Sequence, residues 1–166
     1  MLYTREAWAY ATLGRMSAFR RATGKAKEAL TEAKPAEDPY WVAYFDMAEL
    51  DGTTGGRLLE LANHDKRLAD ETAERISRAI AVRRPGLLRS SALDQIGLAA
   101  ARLVQGEMEE AARLGQLAAA LVEQTPSDRV RVKLAALYQL SNVHADVPVI
   151  AGLLDRIRSL CAAPPT

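Results

Sequence analysis

Apolar residues return every three or four positions along most of the chain, the period of a helix that buries one face, and no stretch keeps the strict alternation of a half-buried strand. Breakers interrupt that period at Gly14, 34–39, 62–67, 83–86, 105–106, 124–126 and 142–148. Eight segments of helical length remain between them, which predicts an all-α chain of about four antiparallel hairpins. Some ends carry their own chemistry. The Thr125 hydroxyl ahead of Pro126 and Asp128 predicts an N-cap, with a preset backbone angle and a negative charge near the helix amino terminus. Asp146 and Pro148 predict the next start, from which Ile150, Leu153, Leu154, Ile157 and Leu160 share one face. Asp46 with Glu49 looks like a capping pair that restarts a helix. Residues 163–166, with Pro164 and Pro165, are expected to fray, leaving 1–162 as one helical domain. Glutamates four residues ahead of arginines, Glu71 with Arg75, Glu74 with Arg78 and Glu109 with Arg113, predict solvated outer faces.

Related helix-turn-helix phrases recur along the chain. The clearest places Gly106 at a turn, Met108 two residues on, Ala111 five on and Ala118 twelve on. Gly14 and Ala26 repeat the spacing in the first hairpin, with Phe19 where alanine is expected; Gly55, Leu58, Ala62, Ile76 and Ala79 form a weaker copy. This skeleton resembles a tetratricopeptide repeat, which implies a right-handed α-solenoid of stacked hairpins with the last, Ser127 to Leu160, as a cap. The stretch from Asp38 to Leu50 together with the Gly106 repeat resembles the carboxy-terminal repeat region of actinobacterial helix-turn-helix transcriptional regulators. That resemblance implies a regulatory or association region. Tetratricopeptide arrays line a concave groove with the first helix of each hairpin. The resemblance therefore places Thr4, Trp8 and Thr12 there, then Gly52 and Gly56, then Gln95 and Ala99, with Glu49, Arg89 and Arg102 nearby.

Charge narrows the partners. Over 166 residues, 22 lysines and arginines face 21 aspartates and glutamates, so no whole-molecule field draws in polyanions. Locally the balance differs: residues 1–34 carry a net +4 and residues 35–80 a net −5, an asymmetry suited to steering a charged partner or to pairing two copies as a homodimer. Arg20, Arg21, Lys25 and Lys27 form the densest basic patch, but only Phe19 lies among them, and no segment has the composition of a groove-reading helix. Direct nucleic-acid contact is not expected. Neither is a membrane span, since no run approaches the roughly 18 apolar residues that crossing requires. One cysteine, Cys161, and an amino terminus unlike a secretory signal predict a cytoplasmic protein.

Four of the nine aromatic residues, Tyr40, Trp41, Tyr44 and Phe45, crowd into six positions. On a helix, Trp41, Tyr44 and Phe45 would share a side, either as a plug between hairpins or as an anchor for a partner. Catalytic signals are sparse. Gly52, Gly55 and Gly56 around Thr53 and Thr54 lack the lysine of a phosphate-binding loop and read better as close helix packing. His64 and His144 have no cysteine or second histidine at metal-ligand spacing, and no serine sits in a nucleophile elbow. The sequence therefore predicts no enzyme, cofactor or metal, but a module that binds a protein or peptide through Thr4, Trp8, Thr12, Tyr40, Trp41, Tyr44, Phe45 and Glu49. Alternatives from other classes are a sensor holding a small molecule between hairpins and an accessory to a biosynthetic enzyme.

Overall fold

A computed structural model describes residues 1–34, 40–62 and 65–162, and every regular element among them is helical. The α-helices are α1 (Leu2–Thr12), α2 (Met16–Thr31), α3 (Met47–Ala62), α4 (Ala69–Val82), α5 (Leu88–Gln105), α6 (Met108–Glu123), α7 (Asp128–Ser141) and α8 (Pro148–Ala162). Single 3-10 turns at Tyr40–Val42, Lys66–Leu68 and Asn142–His144 stand in the connections. The breaks expected from the sequence lie between these helices or at their ends. The breaker 35–39, His64 and the tail 163–166 lie outside the described residues. Contacts divide the chain into two compact units, Met1–Arg83 and Arg84–Thr166.

In the first unit, α1 pairs with α2 and α3 with α4, and α3 also packs on both α1 and α2. The α1/α2 turn closes because Gly14 takes a left-handed φ of 66°, letting its own N–H and that of Arg15 reach back to the Ala11 and Tyr10 carbonyls. Ala7, Ala11, Phe19, Ala22 and Leu58 form the buried cluster, with Tyr10, Met16 and Leu61 packed against it. Phe19 is accommodated because its neighbours are alanines: three small side chains leave the volume that one ring fills. Gly55 lets α4 approach α3, since a Cβ there would stand 2.5 Å from Ile76 Cγ1. Close packing thus accounts for this glycine, as the sequence suggested.

In the second unit, α5 packs on α6 and α7, and α6 on α8. Gly106 closes α5 with φ 85°, and the N–H of Glu107 bonds the Arg102 carbonyl at 2.9 Å. Ala111 and Ala118 are fully buried at the positions the repeat skeleton assigns to small residues. Ile150, Leu153, Leu154 and Ile157 bury the expected stripe of α8, each contributing about 1.5–3 kcal/mol on transfer from water. Leu153 projects into the notch at Gly115, where an added Cβ would lie 2.7 Å from its methyl groups.

Two local expectations need correction. Thr125 is not the cap of α7: its N–H still bonds Val122 O at 3.2 Å in the closing turn of α6, its hydroxyl is buried with no hydrogen-bond partner, and the helix starts at Asp128 after Ser127. Arg113 does not use Glu109 either. It reaches Glu110, three residues away, through two hydrogen bonds of 2.7 Å, a forked geometry that one bond to the more distant glutamate does not match.

Candidate functional site

On α1, Thr4, Arg5, Trp8 and Thr12 fall along one stripe at helical spacing, at most half-buried. Trp8 is 39 % exposed, and two guanidiniums stand near its ring. The Arg57 guanidinium from α3 lies 3.7 Å from the ring centroid and that of Arg5 5.4 Å away. Arg57 in turn donates to Glu60 at 2.6 Å, which fixes the plane of its fork. The result is an aromatic and cationic platform. Thr4 and Thr12 contribute less, because their hydroxyls donate back to the carbonyls of Met1 and Trp8. Beside Arg57, Gly56 carries open space: apart from its chain neighbours and its own helix backbone, nothing lies within 4 Å of where its Cβ would be.

The aromatic run does not continue a helix as the sequence suggested. Tyr40–Val42 makes a single 3-10 turn, and α3 begins only at Met47, because the Asp46 carboxylate accepts from the Glu49 N–H at 2.9 Å and caps it there. The capping pair was thus legible, and the helical side shared by the aromatics was not. Tyr40 is 86 % exposed, whereas Tyr44 and Phe45 meet edge to face at 6.3 Å and the Tyr44 hydroxyl contacts Met1 Sδ at 3.3 Å. The Trp41 side chain lies outside the described residues. Glu49 is drawn away from this surface: it receives a 3.0 Å hydrogen bond from Arg83, whose side chain is only 4 % exposed and which also donates to the Ala48 carbonyl. That pair ties the start of α3 to the end of α4. In the second unit Ala99 is fully buried and does not face a groove, while Arg102 bonds Gln105 and Glu107.

The first unit also holds a groove that the sequence did not reveal. It runs between α2 and α4 above α3, with a volume of about 810 Å³. Its walls carry Arg20 and Lys27 from α2 and Arg75 and Arg78 from α4, against the carboxylates of Asp51 and Glu71. Arg20 reaches across to Glu71 at 2.8 Å; Arg75 bonds Glu71 at 3.1 Å and stands 3.7 Å from Asp51; Arg78 joins Asp51 at 3.3 Å and Glu74 at 2.6 Å. Asp51 holds the Arg78 guanidinium above its ordinary pKa, chiefly by hydrogen bonding. The pairs of Glu71 with Arg75 and Glu74 with Arg78 therefore exist, but Glu71, Arg75 and Arg78 stand in a groove wall rather than on a plain outer face. The basic patch of α2 is divided as well, with Lys25 set over the Tyr3 ring at 5.8 Å and Arg20 and Lys27 in the groove. The available sequence signal was the opposite charge of segments 1–34 and 35–80, which meet here through Arg20 and Glu71.

Among the described residues no group of three or more histidine, cysteine, aspartate or glutamate side chains is arranged to hold a metal ion. None of the described helices is long and apolar enough to cross a membrane. No protein-family model, curated protein or solved structure matches the chain.

Proposed function

We propose that this chain is a recognition module of helical-repeat type, in the tetratricopeptide manner, that acts by binding rather than by catalysis. Its target is a peptide segment of a partner protein, taken on the α1/α3 surface around Trp8. The observation that supports this is the platform itself. A tryptophan that remains 39 % exposed with the Arg57 guanidinium against its ring and that of Arg5 nearby offers apolar area and positive charge together, at little ordering cost. Such a surface suits a segment that presents an apolar side chain next to a carboxylate. Gly56 leaves room for a backbone to lie close to α3. The repeat phrases around Gly14, Gly55 and Gly106 support a role as the regulatory or association region of a transcriptional regulator, or as a stand-alone adaptor.

Selection of peptides from a random displayed library on the full chain tests this. Enriched peptides should carry an acidic residue beside an apolar one and should bind Trp8→Ala at least about 10-fold more weakly, the loss expected of a central aromatic anchor. Helical circular dichroism should be unchanged in that variant. Enrichment of peptides that bind Trp8→Ala equally well, or of none, defeats the proposal.

A further inference from the structure

The groove between α2 and α4 is separate from the Trp8 platform and shares no residue with it, so either site can fail without the other. The geometry points to this groove as a binding site for a small organic anion bearing two or more carboxylate or phosphate groups. Three independent features carry the assignment.

The first is space that the fold keeps open. In α6, the glycine at 115 is filled by Leu153 of α8. In α2, Gly24 lines the groove and meets nothing within 4 Å of its would-be Cβ, although a glycine in a helix interior costs stability relative to alanine. No contact inside the protein requires glycine there, and a side chain would project into the groove. The second is size, since about 810 Å³ lies within the range of small-molecule sites. The third is charge: four cations line the groove against two carboxylates. The carboxylates orient the guanidiniums instead of filling the site, with Glu71 shared by Arg20 and Arg75 and Asp51 by Arg75 and Arg78. Planar forks held in place this way match carboxylate and phosphate oxygens. Lys27 stands on the α2 wall seven residues after Arg20, on the same face of the helix, and adds a point charge to the lining.

Calorimetric titration of the full chain at low ionic strength, with inorganic pyrophosphate in one arm and citrate in the other, tests the site and distinguishes phosphate from carboxylate chemistry. At least one probe should bind saturably at one equivalent, with affinity falling as salt rises. Lys27→Ala should weaken it about 10-fold, while Arg129→Ala, which removes an exposed cation of α7, should leave it unchanged. Gly24→Leu should abolish binding while raising Tm by about 2–4 °C, because the helix gains a better former where nothing is displaced. A groove that only spaces two helices predicts the same gain in Tm with no binding to lose. Absence of saturable binding by both probes, or undiminished binding in Lys27→Ala, overturns the assignment. Should Gly24→Leu lose helicity, the Lys27→Ala titration still decides.

Discussion

At the scale of single residues, the glycines of the helix interiors divide by what surrounds them. A methyl group at Gly55 would meet Ile76, and one at Gly115 would meet the buried Leu153, so both neighbours must shift. Gly55→Ala and Gly115→Ala should each destabilise by about 1–3 kcal/mol, the usual cost of overpacking. Gly56→Ala should do the reverse and gain up to about 1 kcal/mol, since its site is open and the unfolded chain loses freedom. Urea midpoints of the three variants check both signs. In the sequence, Gly55 and Gly56 are indistinguishable, because the atom that tells them apart comes from α4, some twenty residues away. The expectation of close packing therefore holds at one and not at the other. A second residue-scale prediction concerns pH. Hydrogen bonds from Arg113 hold the Glu110 carboxyl below the ordinary glutamate range. A depressed folded value means that the pair's contribution is present above the unfolded value of about 4.3 and disappears as pH falls through the lower one. Carboxyl titration by NMR should place the Glu110 midpoint below that of a free glutamate and return it upward in Arg113→Ala; an unmoved midpoint contradicts the pairing.

At the scale of elements, what was legible is what is local. Asp46 caps α3 through the amide three residues on, and the stripe of α8 follows from its own period, so both could be read before any fold was known. Asp46→Ala should cost about 1 kcal/mol, typical of a lost N-cap. The same reasoning fails at Thr125, where the closing turn of α6 holds the residue and the start of α7 moves past it. Nor could the tie of Glu49, read as a residue offered to a partner, to Arg83 be seen locally, because Arg83 comes from 34 positions away. Removing the acid would leave a nearly inaccessible guanidinium without this carboxylate, so Glu49→Ala should destabilise by about 2–4 kcal/mol, somewhat below a fully buried pair because Glu49 retains solvent contact. Arg83→Met should cost less, since Glu49 can be hydrated and the methionine keeps the buried stem. Chemical denaturation of the two variants orders them; equal stability with wild type would mean that Glu49 does not hold α3 to α4.

At the scale of the whole chain, the helices among the described residues and the pairing of α1 with α2, α3 with α4 and α5 with α6 followed from the spacing of breakers, whereas the seating of α7 and α8 chiefly on α5 and α6, the division into units at Arg83 and the open groove did not, because these depend on which helices meet. The two units also differ in the material of their cores. Residues 84–166 bury Val130, Leu134, Leu137, Ile150, Leu153 and Ile157 almost completely. Residues 1–83 rely on Phe19, Leu58 and Ile76 among alanines, and their groove keeps a run of charged side chains where α6 and α8 have direct contact. At about 25 cal/mol for each Å² of apolar area removed from water, aliphatic side chains of this size outweigh alanines decisively. Domains of this length are marginal, so that difference should decide which one stands alone. Expressed separately, 84–166 should be helical with a cooperative urea transition, and 1–83 should unfold at lower urea or remain only partly helical. Circular dichroism of the two fragments measures this directly. If 1–83 proves the more stable, then its ion-pair network and Trp8 platform contribute more than their exposure implies.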